Sequence, residues 1–257
     1  MAEMLLCIDV GNTQTVLGAF SGEKLVSRWR IRSDRRRTAD EYSHLIKDLL
    51  KGDGIDTSSL NGVAISCVVP PARQPLIDMS NASFGIDPLM IGPGIKTGMS
   101  ILYDNPKEVG ADRIANTVAA YEKYRRALIV IDFGTAITFD VVSSSGDYIG
   151  GVIFPGVQIS LDALFLKASK LPRVELEIPQ CVVGKDTISS IQSGIIYGYS
   201  GLIDSLVVRI SNEMGDDPYV VATGGSVGLL AGQSEAISEV LPDLTLEGLY
   251  ILYGRNK

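Results

Sequence analysis

The chain has 257 residues, longer than the roughly 100 to 200 of a typical single domain, so two modest domains or one large one are expected. Hydrophobic residues make up 46% of it and charged residues 21%, which is too apolar for disorder, and 30 acidic against 23 basic side chains give a formal charge of −7. No global positive field is available to draw it onto nucleic acid or an anionic membrane. It also lacks any run near the ~18 apolar residues that a membrane span needs.

The first element is a break in pattern. "LLCIDVGNTQTVLGAF" sets small polar residues between two apolar runs, which predicts strands at Met4 to Val10 and Thr15 to Phe20 joined by a tight turn. A third strand follows at Lys24 to Ile31, across "SGE", and completes a meander. "RWRIRSDRRR" then gathers Arg28, Arg30, Arg32, Arg35, Arg36 and Arg37 at a strand end and loop, where a solvated charge run is the simplest reading. "TADE" opens a helix at Thr38 as a capping box with Glu41, running to about Lys51. "GVAISCVV" is a buried strand, a helix begins near Pro70, and "DPLMIG" is a short strand. A helix carrying "RIANTVAAYEKYRR" leads into "ALIVIDFGTAITFDVVSSSGDYIGGVIFPG", which gives three more strands. Helices around 157–167 and 186–213, the strand "PYVVATGG", a helix, and a last amphipathic helix from about Thr245 finish the chain.

The second meander echoes the first. At an offset of 123, Ile8 meets Ile131, Asp9 meets Asp132, Gly11 meets Gly134 and Thr15 meets Thr138; past the hairpin the offset becomes 124, one residue inserted at a turn. Two β-β-β-α-β-α halves, 1–117 and 118–257, predict a duplicated α/β fold around a central cleft.

Cys7, Cys67 and Cys181 lie far apart in apolar surroundings, as expected of reduced, buried thiols, and with no basic opening segment ahead of an apolar run the expected compartment is the cytoplasm. His44, the single histidine, sits on a predicted helix with nothing resembling a nucleophile elbow nearby. "GPGIKTG" fails as a Walker A loop, because Ile95 precedes Lys96, and it lacks the last glycine of a dinucleotide fingerprint.

What remains is the pair of hairpins. Small residues in "GNTQT" let the backbone approach a ligand, and successive N–H groups can form an anion-binding concavity. Thr13 and Thr15 add hydroxyls, and Asp9 at a strand end offers Mg²⁺ a hard oxygen ligand. "ATGGS" at 222–226 would let adenosine lie flat against backbone. In "YDNPKEVGADRIAN", Gly110 and Ala111 make a close turn, Arg113 suits an anionic acceptor, and Asp112 is either the cap of the next helix, a general base, or both.

At these residues the sequence closely resembles the type III pantothenate kinases, bacterial enzymes of coenzyme A biosynthesis in the acetate and sugar kinase, heat-shock cognate and actin superfamily. The likeness covers nearly the whole chain: "DVGNTQTVLG", "GPGIKTG", "YDNPKEVGADR", "IDFGTAITFDVV", "GGVIFPG", "DTISSIQSGIIYG" and "ATGG" stand in the family's order and spacing. The resemblance implies a ribonuclease H-like, actin-like ATPase fold. It implies ATP at Asp9, Val10, Gly11, Asn12, Thr13, Gln14, Thr15 and Val16 and near Thr135, with Mg²⁺ on the Asp9 side. It makes Asp112 the base toward pantothenate, held by Tyr103, Gly110, Ala111, Asp112, Arg113 and Thr187, and Asp132 the ligand of a monovalent cation, K⁺ or NH₄⁺. Thr187 would come from the neighbouring subunit of a homodimer. One departure stands: "SSIQSG" replaces the Ala-Met pair many members carry before "QSG". A kinase for another small hydroxyl acceptor and a non-catalytic ATP-binding regulator of the same superfamily are the alternatives.

Overall fold

The computed structural model describes residues 3–257. The first polar break is a tight hairpin in which β1 (Met4–Val10) and β2 (Gln14–Ser21) run antiparallel, with Asp9 opposite Val16 and Val10 opposite Thr15. β3 (Lys24–Arg32) extends the meander beyond β2. Next, α1 (Ala39–Gly52) starts on the expected capping box, Thr38 and Glu41 satisfying each other's backbone N–H groups. β4 (Leu60–Cys67) lies parallel to β1, α2 (Pro70–Phe84) begins on proline, and β5 (Leu89–Met90) pairs with β4.

After α3 (Ala111–Tyr124), β6 (Leu128–Phe133), β7 (Ala136–Val142) and β8 (Tyr148–Pro155) repeat the meander. α4 (Val157–Lys167), α5 (Thr187–Met214), β9 (Tyr219–Thr223), α6 (Val227–Leu230), β10 (Glu239–Val240) and α7 (Leu244–Asn256) follow. The sheet orders are β3-β2-β1-β4-β5 and β8-β7-β6-β9-β10, with β6 parallel to β9 as β1 is to β4. The architecture is therefore the α/β duplication that the repeated hairpin predicts.

The chain divides into two compact units, the first holding the residues up to Met99, Tyr103–Ala119 and Leu244–Lys257, the second Ser100–Leu102 and Ala120–Asp243. In the first unit Ile8, Val10, Leu17, Ile46, Leu50 and Leu76 form a core on one face of the sheet. Because side chains alternate across a strand, Cys7 and Asp9 lie on the other face. That face belongs to α7: a Cβ at Gly18 would collide with Leu246, and one at Gly62 with Tyr253. A Cβ at Gly248 would in turn collide with the backbone of Ala115, so α7 also lies close against α3, and Thr245 donates to Asn116 at 2.7 Å.

In the second unit a core centred on Ile129, Ile131, Phe139, Ile196 and Ile203 joins the sheet to α5. Here Ile101 pairs with Tyr148 as an added bridge, fixed by Tyr148 N–H to Ser100 O and Leu102 N–H to Tyr148 O, each 2.8 Å. The Tyr148 hydroxyl donates to the buried Asp140 at 2.8 Å.

No helix among the described residues is long and apolar enough to cross a membrane. Cys7 is buried, and burial pushes its thiol well above the ordinary value, but Cys67 is only half-buried and Cys181 is exposed. The expectation of three buried thiols fails at Cys181 because residues 168–186 form no regular element and leave it at the surface.

Candidate active site

The first hairpin is built to expose its tip. Gly11 N–H donates to Gln14 O at 3.0 Å and closes the turn, leaving Asn12, Thr13 and Gln14 exposed while Thr15 is fully buried. The Thr15 hydroxyl is engaged with Ser33 Oγ at 2.8 Å, so it shapes the hairpin from inside. Asp9 is half-buried one residue before the carboxyl end of β1, and Val10 ends the strand. Val16 is half-buried on the same face as Asp9.

The second hairpin repeats this plan with different backing. Gly134 N–H donates to Ala136 O at 3.1 Å, and Thr135 is exposed at the tip. Thr135 O accepts from Gly156 N–H at 3.0 Å, where any Cβ would strike that carbonyl. Asp132 lies beside Thr223 in the parallel register of β6 and β9, and Gly224, at φ +102°, leaves no room for a Cβ against Asp132 Oδ1 and the Phe133 backbone. Gly224 therefore has a packing reason independent of any nucleotide.

Asp112 settles one of the alternatives left open by the sequence. α3 begins at Ala111, and Gly110 O accepts the Ile114 N–H at 3.1 Å, so Gly110 occupies the cap position and Asp112 lies in the first turn. The Asp112 carboxylate instead accepts from the N–H of Arg113 at 2.8 Å. A Cβ at Gly110 would collide with Asp112 Oδ1, so this inward fold of the carboxyl requires glycine there. Burial raises the Asp112 carboxyl above the ordinary carboxylate range, against the opposing pull of the Arg113 N–H and guanidinium. Arg113 itself is buried and Ala111 half-buried, while Tyr103 is half-buried in the loop before α3.

Thr187 stands apart from these groups in the chain. It is exposed at the first turn of α5, just after the capping Asp186, on an open groove of about 690 Å³ lined by Leu164, Leu171, Lys185, Ile191 and Ile195.

Comparison with known proteins fixes the family. The sequence model of the type III pantothenate kinases matches residues 5–209. A type III pantothenate kinase of Anaeromyxobacter sp. (strain Fw109-5) is 56% identical over 99% of this chain and 100% of its own length. The chain belongs to the type III pantothenate kinase family. A second member, from Myxococcus xanthus, is 53% identical over 98% of this chain and 99% of its own length. Among solved structures, MreB 5 of Spiroplasma citri bound to AMPPNP superposes with a TM-score of 0.57 over 99% of this chain and 97% of that one, at 10% identity. That likeness concerns the fold alone, which is the actin-like kind.

Kinases of this family act on ATP with a divalent metal, and the donors present suit one. Among the described residues no three His, Cys, Asp or Glu side chains gather to cage an ion. A single half-buried carboxylate such as Asp9 fits Mg²⁺, which keeps several waters and takes its remaining oxygens from phosphate. Sequence reasoning missed Ser33. It donates through Oγ to Gly11 O at 2.7 Å and through N–H to Thr13 O at 3.0 Å, bracing the first hairpin from the loop after β3. Nothing in "RSDRRR" signals this, because the contact joins segments 20 or more residues apart.

Proposed function

We propose that this chain does what its family name says, transferring the γ-phosphoryl group of ATP to the primary hydroxyl of pantothenate, the first step of coenzyme A biosynthesis. Asp112 takes the hydroxyl proton as the oxygen attacks the γ-phosphorus, the bond to the β–γ bridging oxygen breaks, and ADP leaves. The observation that carries this reading is the Asp112–Arg113 pair: a carboxyl raised by burial is a stronger base than an exposed one, and it adjoins a buried guanidinium suited to the pantothenate carboxylate. Tyr103, Gly110 and Ala111 complete the acceptor site, with Thr187 contributed by the neighbouring copy.

Residues Asp9 to Val16 and Thr135 form the triphosphate site: Asn12, Thr13, Gln14 and Thr135 offer the exposed tips, while the buried Val10 and Thr15 shape the first hairpin beneath them. Mg²⁺ held at Asp9 supplies neutralisation of the charge that develops on the phosphates. Asp132 holds a monovalent cation, K⁺ or NH₄⁺, where its carboxylate meets the close-packed backbone at Gly224. The protein acts in the cytoplasm as a homodimer, with Thr187 serving the neighbouring copy.

Mass spectrometry and phosphorus NMR of a reaction with ATP, pantothenate, Mg²⁺ and K⁺ test the reading. One phosphate on the primary hydroxyl is expected. An unmodified acceptor, or phosphate transferred equally well to unrelated small alcohols, would overturn it.

A further inference from the structure

The residues assigned to the triphosphate include no cation, although ATP keeps a net negative charge even with Mg²⁺ and the chain itself carries −7. By sequence the six arginines of "RWRIRSDRRR" read as a solvated run. The structure sorts them.

Arg28, Arg30 and Arg32 are exposed on β3, an edge strand. After Ser33 the chain makes a turn, Arg37 N–H donating to Asp34 O at 3.3 Å and Arg36 N–H to the Asp34 carboxylate at 2.9 Å. Arg37 folds back toward Arg32 O at 3.4 Å and lies over the Tyr42 ring, 5.2 Å from its centre. Arg35 goes the other way. Its Nη2 donates to Asn12 Oδ1 at 3.3 Å, at the exposed tip of the first hairpin. Ser33, two residues earlier, is tied to Gly11, Thr13 and Thr15 of that hairpin, so the loop is anchored to the hairpin at three residues.

We propose that Arg35 is a phosphate-binding residue of the nucleotide site, delivered to the first hairpin by the Ser33 brace and parked on Asn12 until the triphosphate arrives. A guanidinium has five N–H donors, so it can keep Asn12 and still meet phosphate oxygens with a charge-assisted pair. Ser33 is the positioning residue: it holds the hairpin tip and the arginine turn in register. The inference rests on the proposed nucleotide role of Asp9 to Val16, and it adds the positive charge that this set lacks.

The test measures binding of a non-hydrolysable ATP analogue, ADP and adenosine to the full chain by calorimetry, so it does not depend on turnover. Arg35→Gln should weaken the ATP analogue about ten-fold, the order expected for one charge-assisted contact, leave adenosine unchanged, and flatten the salt dependence of the triphosphate affinity. Arg36→Gln removes the same charge without a hairpin contact and should leave all three ligands unchanged. Ser33→Ala should weaken the triphosphate in the same direction, and Ser33→Thr should restore it. Equal losses in Arg35→Gln and Arg36→Gln, or a loss in Arg35→Gln that extends to adenosine, overturn the proposal. A wild-type chain that binds the triphosphate with this arginine dependence yet forms no phosphopantothenate would sink the proposed reaction and leave the arginine assignment standing. No triphosphate binding by the wild type would sink both.

Discussion

Gly248 and Gly254 lie on the same helix, α7, and a methyl group added at each should have opposite effects. At Gly248 the new Cβ meets the O, C and Cα atoms of Ala115, all backbone, so no rotamer change on α3 can relieve the collision. Overpacking of this kind costs about 1–3 kcal/mol, and a backbone neighbour puts it near the top of that range. Replacing glycine by alanine in a helix returns about 1 kcal/mol of propensity, so Gly248→Ala should lose about 2 kcal/mol net. For a chain of this size that corresponds to a Tm lower by roughly 4–8 °C. At Gly254 nothing lies within 4 Å of the added atom, so only the propensity gain remains, and Tm should rise by up to about 4 °C. The same displacement reaches the site, because Ala115 is on the first turns of α3, which carries Asp112. A shift of about 1 Å can cost on the order of 10²-fold in rate, so kcat should fall in Gly248→Ala and hold in Gly254→Ala. Thermal unfolding by circular dichroism and steady-state turnover read both effects. Two variants alike in Tm and kcat would refute the close contact of α7 with α3 as the support of the site.

Other outcomes follow from the site. Asp112 is held above its ordinary value, so it favours the fold while protonated and opposes it once ionised; its contribution falls as pH rises from the unfolded value through the folded one. Asp112→Asn should therefore keep or raise Tm at neutral pH while lowering kcat by about 10²–10⁴, and near-normal turnover would remove Asp112 from the role of base. Rates in K⁺ or NH₄⁺ should exceed those in Na⁺, with the difference abolished in Asp132→Asn; equal rates in all three salts for the wild type would exclude a selective cation site. Gly224→Ala forces a left-handed backbone position and a collision with Phe133, so it should cost about 1–3 kcal/mol in urea unfolding, and an unchanged midpoint would contradict the packing described for the second hairpin.

Local pattern makes the duplication legible in the sequence itself. The Asp-x-Gly breaks at Asp9 and Asp132, spaced between apolar strands, announce two hairpins, and the two sheets share one strand order. The capping box at Thr38 was equally readable, because capping depends on residues three apart. Features made by distant segments were not. That α7 returns to the first sheet depends on small residues at Gly18 and Gly62, and its approach to α3 depends on Gly248, meanings that appear only when these distant segments are seen side by side. The Ser33 brace and the contact of Arg35 with Asn12 are invisible for the same reason. At Asp112 the sequence offered cap or base, and the position of Gly110 at the helix start excluded the plain cap.

The most direct test of the central claim is a coupled ADP-release assay on the full chain with Mg²⁺-ATP and K⁺, run with and without pantothenate. The account predicts ADP release that depends on pantothenate and saturates with it. ADP release at the same rate in both conditions, or none in either, would contradict it.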